Sequence, residues 1–298
     1  MSIQNSTPVK PFPVMVYASV VVALIISGIL VSGYLMVSHY KVYTDITYSS
    51  FCAISKAINC DTVSQSPYSI FWNVPVPAWG IIGYLFLLIT LVVSWGIRLK
   101  SMRLFPSLLL ICLVFSSISI FLAILSAVKI HSYCIMCIVT YGINFLLLYM
   151  IWLMKRRFGK AGWTDAVKKD CRFWTSASNR PLLIKTYLPF VVAVLMTMAL
   201  MPDYWHLGPS DFSDQNLTTG VTADGSPWIG AKTPEITIVE YADYMCFQCR
   251  KMHFFLRRLI NENPDSIRLV HKHFPMDKKT NPALGEDLHP GSGILSAI

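Results

Sequence analysis

Five apolar runs, roughly 13–37, 77–97, 104–128, 134–154 and 183–201, constrain this chain more than any other feature. Each approaches or exceeds the ~20 residues an α-helix needs to cross a hydrocarbon core. Charged residues make up 14% of the chain, against about 25% in soluble domains, so the expected class is a membrane protein. The first run is too long for a signal-peptide core and no small-residue cleavage site comes after it, so it reads as a span. A length of 298 residues leaves room for roughly two domains.

The basic residues give the orientation. Net charge is +9, which could indicate a nucleic-acid partner, but the Lys and Arg residues cluster beside apolar runs. Arg98, Lys100 and Arg103 lie between the second and third runs. Lys155, Arg156, Arg157, Lys160, Lys168, Lys169, Arg172 and Arg180 lie between the fourth and fifth. Positively charged loops stay in the cytoplasm, so no nucleic acid is expected, and residues 38–76, 129–133 and everything after about 202 face outward. The 38–76 loop fits this side, since its Lys41 and Lys56 are offset by Asp45 and Asp61.

Six of the eight cysteines form close pairs: Cys52 with Cys60, Cys134 with Cys137, and Cys246 with Cys249. All three pairs fall on the outer side, where an oxidising environment permits disulfide chemistry. Cys112, in the third span, and Cys171, on the inner side, read as bystanders.

Cys134 and Cys137 stand three apart at the outer end of the fourth span and share a helix face. Tyr141 and Asn144 continue that stripe. A helix N-terminus favours the thiolate, which is the reactive form. The eight-residue separation of Cys52 and Cys60 suits a loop disulfide. Downstream, Ser66-Pro67 has the form of a helix start, with a side-chain cap and then proline. It is expected to open a short amphipathic helix over Tyr68–Trp72, lying across the bundle mouth as a lid or anchoring at the interface through Tyr68, Phe71 and Trp72. Capping and ligand contact are both open to Ser66.

After the fifth span the composition turns polar. Residues 203–234, rich in Gly, Ser, Thr, Asp and Pro, read as a linker. Residues 235–241 read as a strand, 251–261 as a helix through Met252, Phe255, Leu256 and Leu259, and 267–270 as a second strand. A strand and then Cys246-x-x-Cys249 opening a helix is the thioredoxin-like arrangement. A zinc site would need two more ligands. His253 and His271 are available, but with no second CxxC the redox reading is preferred and no metal is expected.

Taken in order, Cys52-x7-Cys60, Ser66, Val74-Pro-Val-Pro-Ala-Trp-Gly80, Tyr84 and Tyr133-Cys-Ile-Met-Cys137-x3-Tyr141-x2-Asn144 closely resemble the vitamin K epoxide reductase family, over about residues 13–155. The tail resembles the DsbA-like thioredoxin family through Gly225-Ser-Pro-Trp-Ile-Gly230, Val239-Glu-Tyr-Ala-Asp-Tyr244, Cys246–Cys249 and His273-Phe-Pro275. The fused order is similar to that of bacterial homologues of the epoxide reductase.

The resemblance implies an all-α membrane four-helix bundle (1–155), a basic cytoplasmic loop and fifth transmembrane helix (156–202), the linker (203–234), and an α/β thioredoxin-like domain (235–298). It implies that Cys134 and Cys137 form the active pair, with Cys137 next to a quinone, either ubiquinone or menaquinone. Cys52 and Cys60 would carry electrons from partner to Cys134, and Ser66, Tyr84, Tyr141 and Asn144 would line the quinone site. Cys246 would be the exposed nucleophile of the tail and Cys249 its resolving partner. Electrons would flow from reduced secreted or periplasmic proteins to Cys246/Cys249, to Cys52/Cys60, to Cys134/Cys137 and into the membrane quinone pool. The setting implied is a bacterial inner membrane, with the tail periplasmic and a separate thioredoxin-like protein as a further partner. The tail matches its family only to about His289-Pro-Gly-Ser292, so a domain shortened at its C-terminal end is expected. Rival readings are a reductase or isomerase running the same chain backwards, a non-enzymatic metal-binding sensor, and a transporter. The last is disfavoured because charge is lacking at mid-membrane.

Overall fold

A computed structural model describes residues 13–55, 57–96, 104–159, 162–206 and 217–297. The chain divides into two compact units, residues 1–42 with 49–202 and residues 43–48 with 203–298.

The first unit is helical. Helices α1 (Val14–Thr44), α3 (Val76–Gly96), α4 (Phe105–Leu125), α5 (Ile135–Phe158) and α7 (Arg180–Leu200) are its long elements. Among the described residues, five spans, Val14–Thr44, Val76–Trp95, Phe105–Ile130, Ile135–Phe158 and Ala177–Leu200, are long and apolar enough to cross a membrane. Four of these helices build one core. Val21 and Ile25 of α1, Leu87 and Leu91 of α3, Leu108 of α4, and Leu147, Ile151 and Met154 of α5 are its buried centre. The steps of four and three residues result from the 3.6-residue turn, which returns each side chain to the same face. Helix α7 has no buried residue and packs through Tyr187 against Phe86 of α3, ring centroids 5.7 Å apart. The loop between the second and third spans, 98–103, whose charges set the expected orientation, lies outside the described residues, as do Lys56 and Lys160.

Three features of this unit differ from the sequence reading. Tyr68–Trp72 is not a helix. A 3-10 turn, Pro67–Ser69, leads into a hairpin of β1 (Ile70–Phe71) and β2 (Val74–Pro75). Trp72 and Asn73 at its tip both have positive φ, the conformation that a two-residue hairpin loop requires. The Ser66 side chain does not cap the 3-10 turn. Its hydroxyl donates to the Val63 carbonyl at 2.8 Å and so closes the end of α2 (Cys60–Gln65). The basic stretch after the fourth span also contains an ordered helix, α6 (Trp163–Thr175). Its buried Asp170 accepts from the Ser107 backbone N–H and hydroxyl, both at 2.7 Å, at the first turn of α4. A carboxylate there satisfies a free N–H and complements the helix dipole.

The second unit is a four-stranded mixed sheet, ordered β3 (Thr219–Val221), β4 (Pro227–Gly230), β6 (Ile267–His273) and β5 (Ile236–Ala242). Helix α8 (Phe247–Glu262) connects β5 to its parallel neighbour β6. Leu256 and Ile260 of α8 bury against Ile267 and Leu269 of β6. Strands β3 and β4 lie inside the stretch 203–234 that composition marks as linker. Gly225, with a φ of 85°, and Ser226 belong to the turn of an antiparallel hairpin, and Pro227 opens its second strand. Residues 207–216 of that stretch lie outside the described residues. A short helix, α9 (Ser292–Leu295), comes after β6.

Candidate active site: cysteine pairs beside an apolar cavity

The N-terminus of α5 carries the first pair. Cys134 is the cap residue, and its sulfur accepts from the Cys137 backbone N–H at 3.3 Å. The next turns place Tyr141 and Asn144 on the same side, so the four residues form the polar stripe that the spacing predicts.

The loop cysteines are brought to this point by backbone pairing. Tyr133 N–H donates to the Ala57 carbonyl at 2.8 Å, and Asn59 N–H donates to the Tyr133 carbonyl at 2.9 Å. The Asn59 side chain caps α2 by accepting from the Asp61 and Thr62 N–H groups. Cys52 and Cys60 form a disulfide. Together with Leu35 and Cys134 they make one buried cluster, against which Cys137 packs. Asp61 is also buried. Its Oδ2 accepts from the Ser50 N–H at 3.0 Å, while Oδ1 has no hydrogen-bond partner among the described residues.

A cavity of about 200 Å³ opens beside this cluster. Cys134, Cys137, Ser66, Tyr84, Tyr141 and Asn144, all expected from sequence, line it. Cys52 and Cys60 do not; they pack behind Cys134. The rest of the wall is largely apolar, with Leu35, Val76, Phe115, Ile118 and Leu122. Tyr84 donates from its hydroxyl to Asn144 Oδ1 at 2.7 Å, and Asn144 Nδ2 donates to Ser119 Oγ at 2.9 Å. The Asn144 amide is therefore held at both ends. Ser32, His39, Trp79, Ser119 and Thr140 also line the cavity and were missed from sequence. His39 lies near the C-terminal end of α1, two residues beyond the apolar run 13–37, with Nε2 3.2 Å from Ser69 Oγ. The sequence hid it because α1 continues to Thr44, beyond the end of the apolar run.

The tail repeats the device. Cys246 caps α8, and its sulfur accepts from the Cys249 N–H at 3.4 Å. The hydrogen bond from the Cys249 thiol, helped by backbone N–H groups and opposed by burial, lowers the Cys246 thiol to about 6. The same bond and burial push Cys249 up. At neutral pH Cys246 is thus the thiolate of the pair. Asp243 holds the turn before it by accepting from the Met245 and Met276 N–H groups, at 2.7 and 2.6 Å. His253 and His271, weighed as zinc ligands beside the cysteines, turn instead to Glu240, with Nδ1–Oε2 distances of 2.8 and 3.2 Å. Burial raises the Glu240 carboxyl, but the hydrogen bonds and charge of the two histidines outweigh it and hold Glu240 at about 2.

Residues 19–152 match the vitamin K epoxide reductase family, and residues 222–286 match a thioredoxin family. No curated protein matches the chain. The first region takes in α1 to α5 and the cavity, leaving out α6 and α7, and the second takes in β4, β5, α8 and β6 with the second CxxC. The chain thus carries a vitamin K epoxide reductase family domain, a thioredoxin-like domain and, among the described residues, five candidate membrane helices, which makes it a multi-pass membrane thiol oxidoreductase.

Proposed function

We propose that this protein makes disulfides on the outer side of the membrane and delivers the electrons to a quinone. The observation that carries the reading is the cavity with Cys134 and Cys137 in its wall and the Cys52–Cys60 disulfide packed behind Cys134. The residues fit a quinone. The walls are apolar enough for a flat ring, and the Tyr141 hydroxyl and His39 stand in them as hydrogen-bonding groups for a quinone oxygen. A quinone held there would supply the acceptor for two electrons and two protons, released as the quinol.

The chain's own residues perform the thiol steps. A substrate thiolate attacks the oxidised tail at Cys246, and a second substrate thiol releases the mixed disulfide, so that the substrate leaves oxidised and the tail reduced. Cys246, now a thiolate, attacks the Cys52–Cys60 disulfide, and Cys249 resolves that second mixed disulfide. The resulting loop dithiol passes two electrons on to the Cys134/Cys137 pair, and each donor pair ends as a disulfide. Placement of the tail outside rests on the positive loops around residues 98–103 and 155–180. The membrane bundle is needed because quinones are confined to lipid, and the covalent tether raises the effective concentration of the tail, to about millimolar. Ubiquinone and menaquinone are the candidate acceptors, and reduced exported proteins are the substrates.

The test uses proteoliposomes loaded with quinone and supplied with a reduced, unfolded disulfide protein. The wild type should form substrate disulfides and quinol in equal amounts. Cys52→Ser/Cys60→Ser should stop electron flow from the tail yet leave quinone reduction by a chemically reduced Cys134/Cys137 pair intact. Undiminished flow in that double variant would refute the path.

A further inference from the structure

The tail contains a cluster that the redox path does not use. Glu240 lies on β5, His271 is its direct partner across the parallel ladder on β6, and His253 lies on α8. Along β5, Ile238, Glu240 and Ala242 turn toward the helix-covered side while Val239 and Tyr241 are exposed. The alternation of a strand therefore places a carboxylate under α8, beside one imidazole from the ladder and one from the helix. His253 is four residues beyond Cys249 and shares its helix face.

The geometry is convergent. Both Nδ1 atoms approach the same carboxylate oxygen, Oε2, at 2.8 and 3.2 Å. One ligand atom from each of the three residues lies within 4.8 Å of the others. Glu240 is 6% exposed, and its second oxygen, Oε1, is buried with no hydrogen-bond partner among the described residues. Hydrogen bonding alone thus crowds two rings onto one oxygen and leaves the other unused. Around a tetrahedral ion with bonds of about 2.0–2.1 Å, ligand atoms stand about 3.3 Å apart, so the two nitrogen–oxygen separations, 2.8 and 3.2 Å, need to open by about half an ångström or less. The Tyr244 hydroxyl, 3.3 Å from His271 Nε2, is the kind of outer partner that orients a metal-bound imidazole. The His253 and His271 side chains are 35% and 17% exposed, which leaves a way in from solvent.

We propose that Glu240, His253 and His271 form a binding site for a zinc-class divalent cation in the thioredoxin-like domain. Two imidazoles and a carboxylate suit such an ion better than calcium or magnesium, which prefer all-oxygen shells. Three protein ligands leave a fourth position for water. The ion ties β5, β6 and α8 together one helical turn below Cys249. The site uses no cysteine and does not depend on the quinone reading.

The test uses the full chain in detergent, with its CxxC pairs oxidised so that thiolates cannot bind metal, stripped of metal and titrated with Zn²⁺ in a calorimeter. One zinc per chain is expected, bound at micromolar strength or tighter. X-ray absorption should show a shell of nitrogen and oxygen without sulfur. Glu240→Gln and His271→Gln should each weaken binding at least tenfold, and zinc should raise the thermal midpoint of the wild type but not of either variant. His253→Gln, at the more exposed ligand, gives a third variant with less demand on folding. Absence of stoichiometric binding by the wild type, binding unchanged in the variants, or a sulfur shell would each overturn the proposal.

Discussion

Gly28 supports the cavity from behind, and replacing it tests how the polar wall is held. A Cβ at Gly28 would lie 2.4 Å from Tyr84 Cζ and 2.6 Å from both Cε atoms. Ordinary contact requires 3.4 Å or more, so the ring must retreat by about 1 Å, and Tyr84, 2% exposed with Phe115 edge-on at 5.7 Å, has little room. The retreat pulls the hydroxyl from Asn144, which it now meets at 2.7 Å. Overpacking of this kind costs about 1–3 kcal/mol. Loss of the hydrogen bond adds about 1 kcal/mol, or more because Asn144 Oδ1 is left buried and unpaired. If about 1.4 kcal/mol of this reaches the quinone-bound state, Gly28→Ala lowers kcat/KM for quinone about tenfold. Stopped-flow quinone reduction by the pre-reduced protein measures this, and a thermal melt in detergent measures the stability loss. Tyr84→Phe removes the hydroxyl without a clash, so the double variant should lose less than the sum of the two single effects. Wild-type kinetics and stability in Gly28→Ala, or full additivity in the double variant, would refute the reasoning.

The Cys246 thiol titrates at about 6, below its usual range, so alkylation of the reduced tail should rise through pH 6 and level off, and Cys246→Ser should abolish it. Because the folded value is depressed, the thiolate stabilises the reduced form fully above the unfolded value and loses that effect as pH falls through about 6. At pH 7 the gain is about 1 kcal/mol after solvent screening of a half-buried group, or roughly 20 mV of oxidising power. A flat alkylation profile between pH 5 and 8 would contradict it. Asp170→Ala removes the acceptor at the first turn of α4 and should cost about 1–2 kcal/mol, read as a lower melting point with quinone reduction retained. Cys112→Ala and Cys171→Ser should both keep quinone reduction. Cys112→Ala should show only the small stability loss of a buried site, since Cys112 is 0% exposed in the helical core.

What could be read from the sequence depended on how local the determining physics is. The stripe Cys134, Cys137, Tyr141, Asn144 comes from one helix period, and all four residues line the cavity. The spans are legible because lipid demands long apolar runs. The hairpin at Trp72-Asn73 was hidden because its turn places a tryptophan at positive φ, where glycine or asparagine is the usual sign. Strands β3 and β4 were hidden by their own turn residues. Burial of Glu240 was masked because β5 is apolar on both faces, Ile238 on one side and Val239 on the other. Asp170 at α4 and Gly28 behind Tyr84 act across 63 and 56 residues of sequence, and no local pattern announces such contacts.

In the proposed reaction Cys134 and Cys137 reduce a quinone held in the adjoining cavity. The most direct measurement is a single turnover in which protein is reduced in detergent, freed of reductant and mixed anaerobically with ubiquinone or a menaquinone analogue, with quinol followed by absorbance. Rapid quinol formation by the wild type, and none at that rate by Cys137→Ala, is the predicted result. Folded wild-type protein that reduces neither quinone, or Cys137→Ala that matches the wild type, would contradict it.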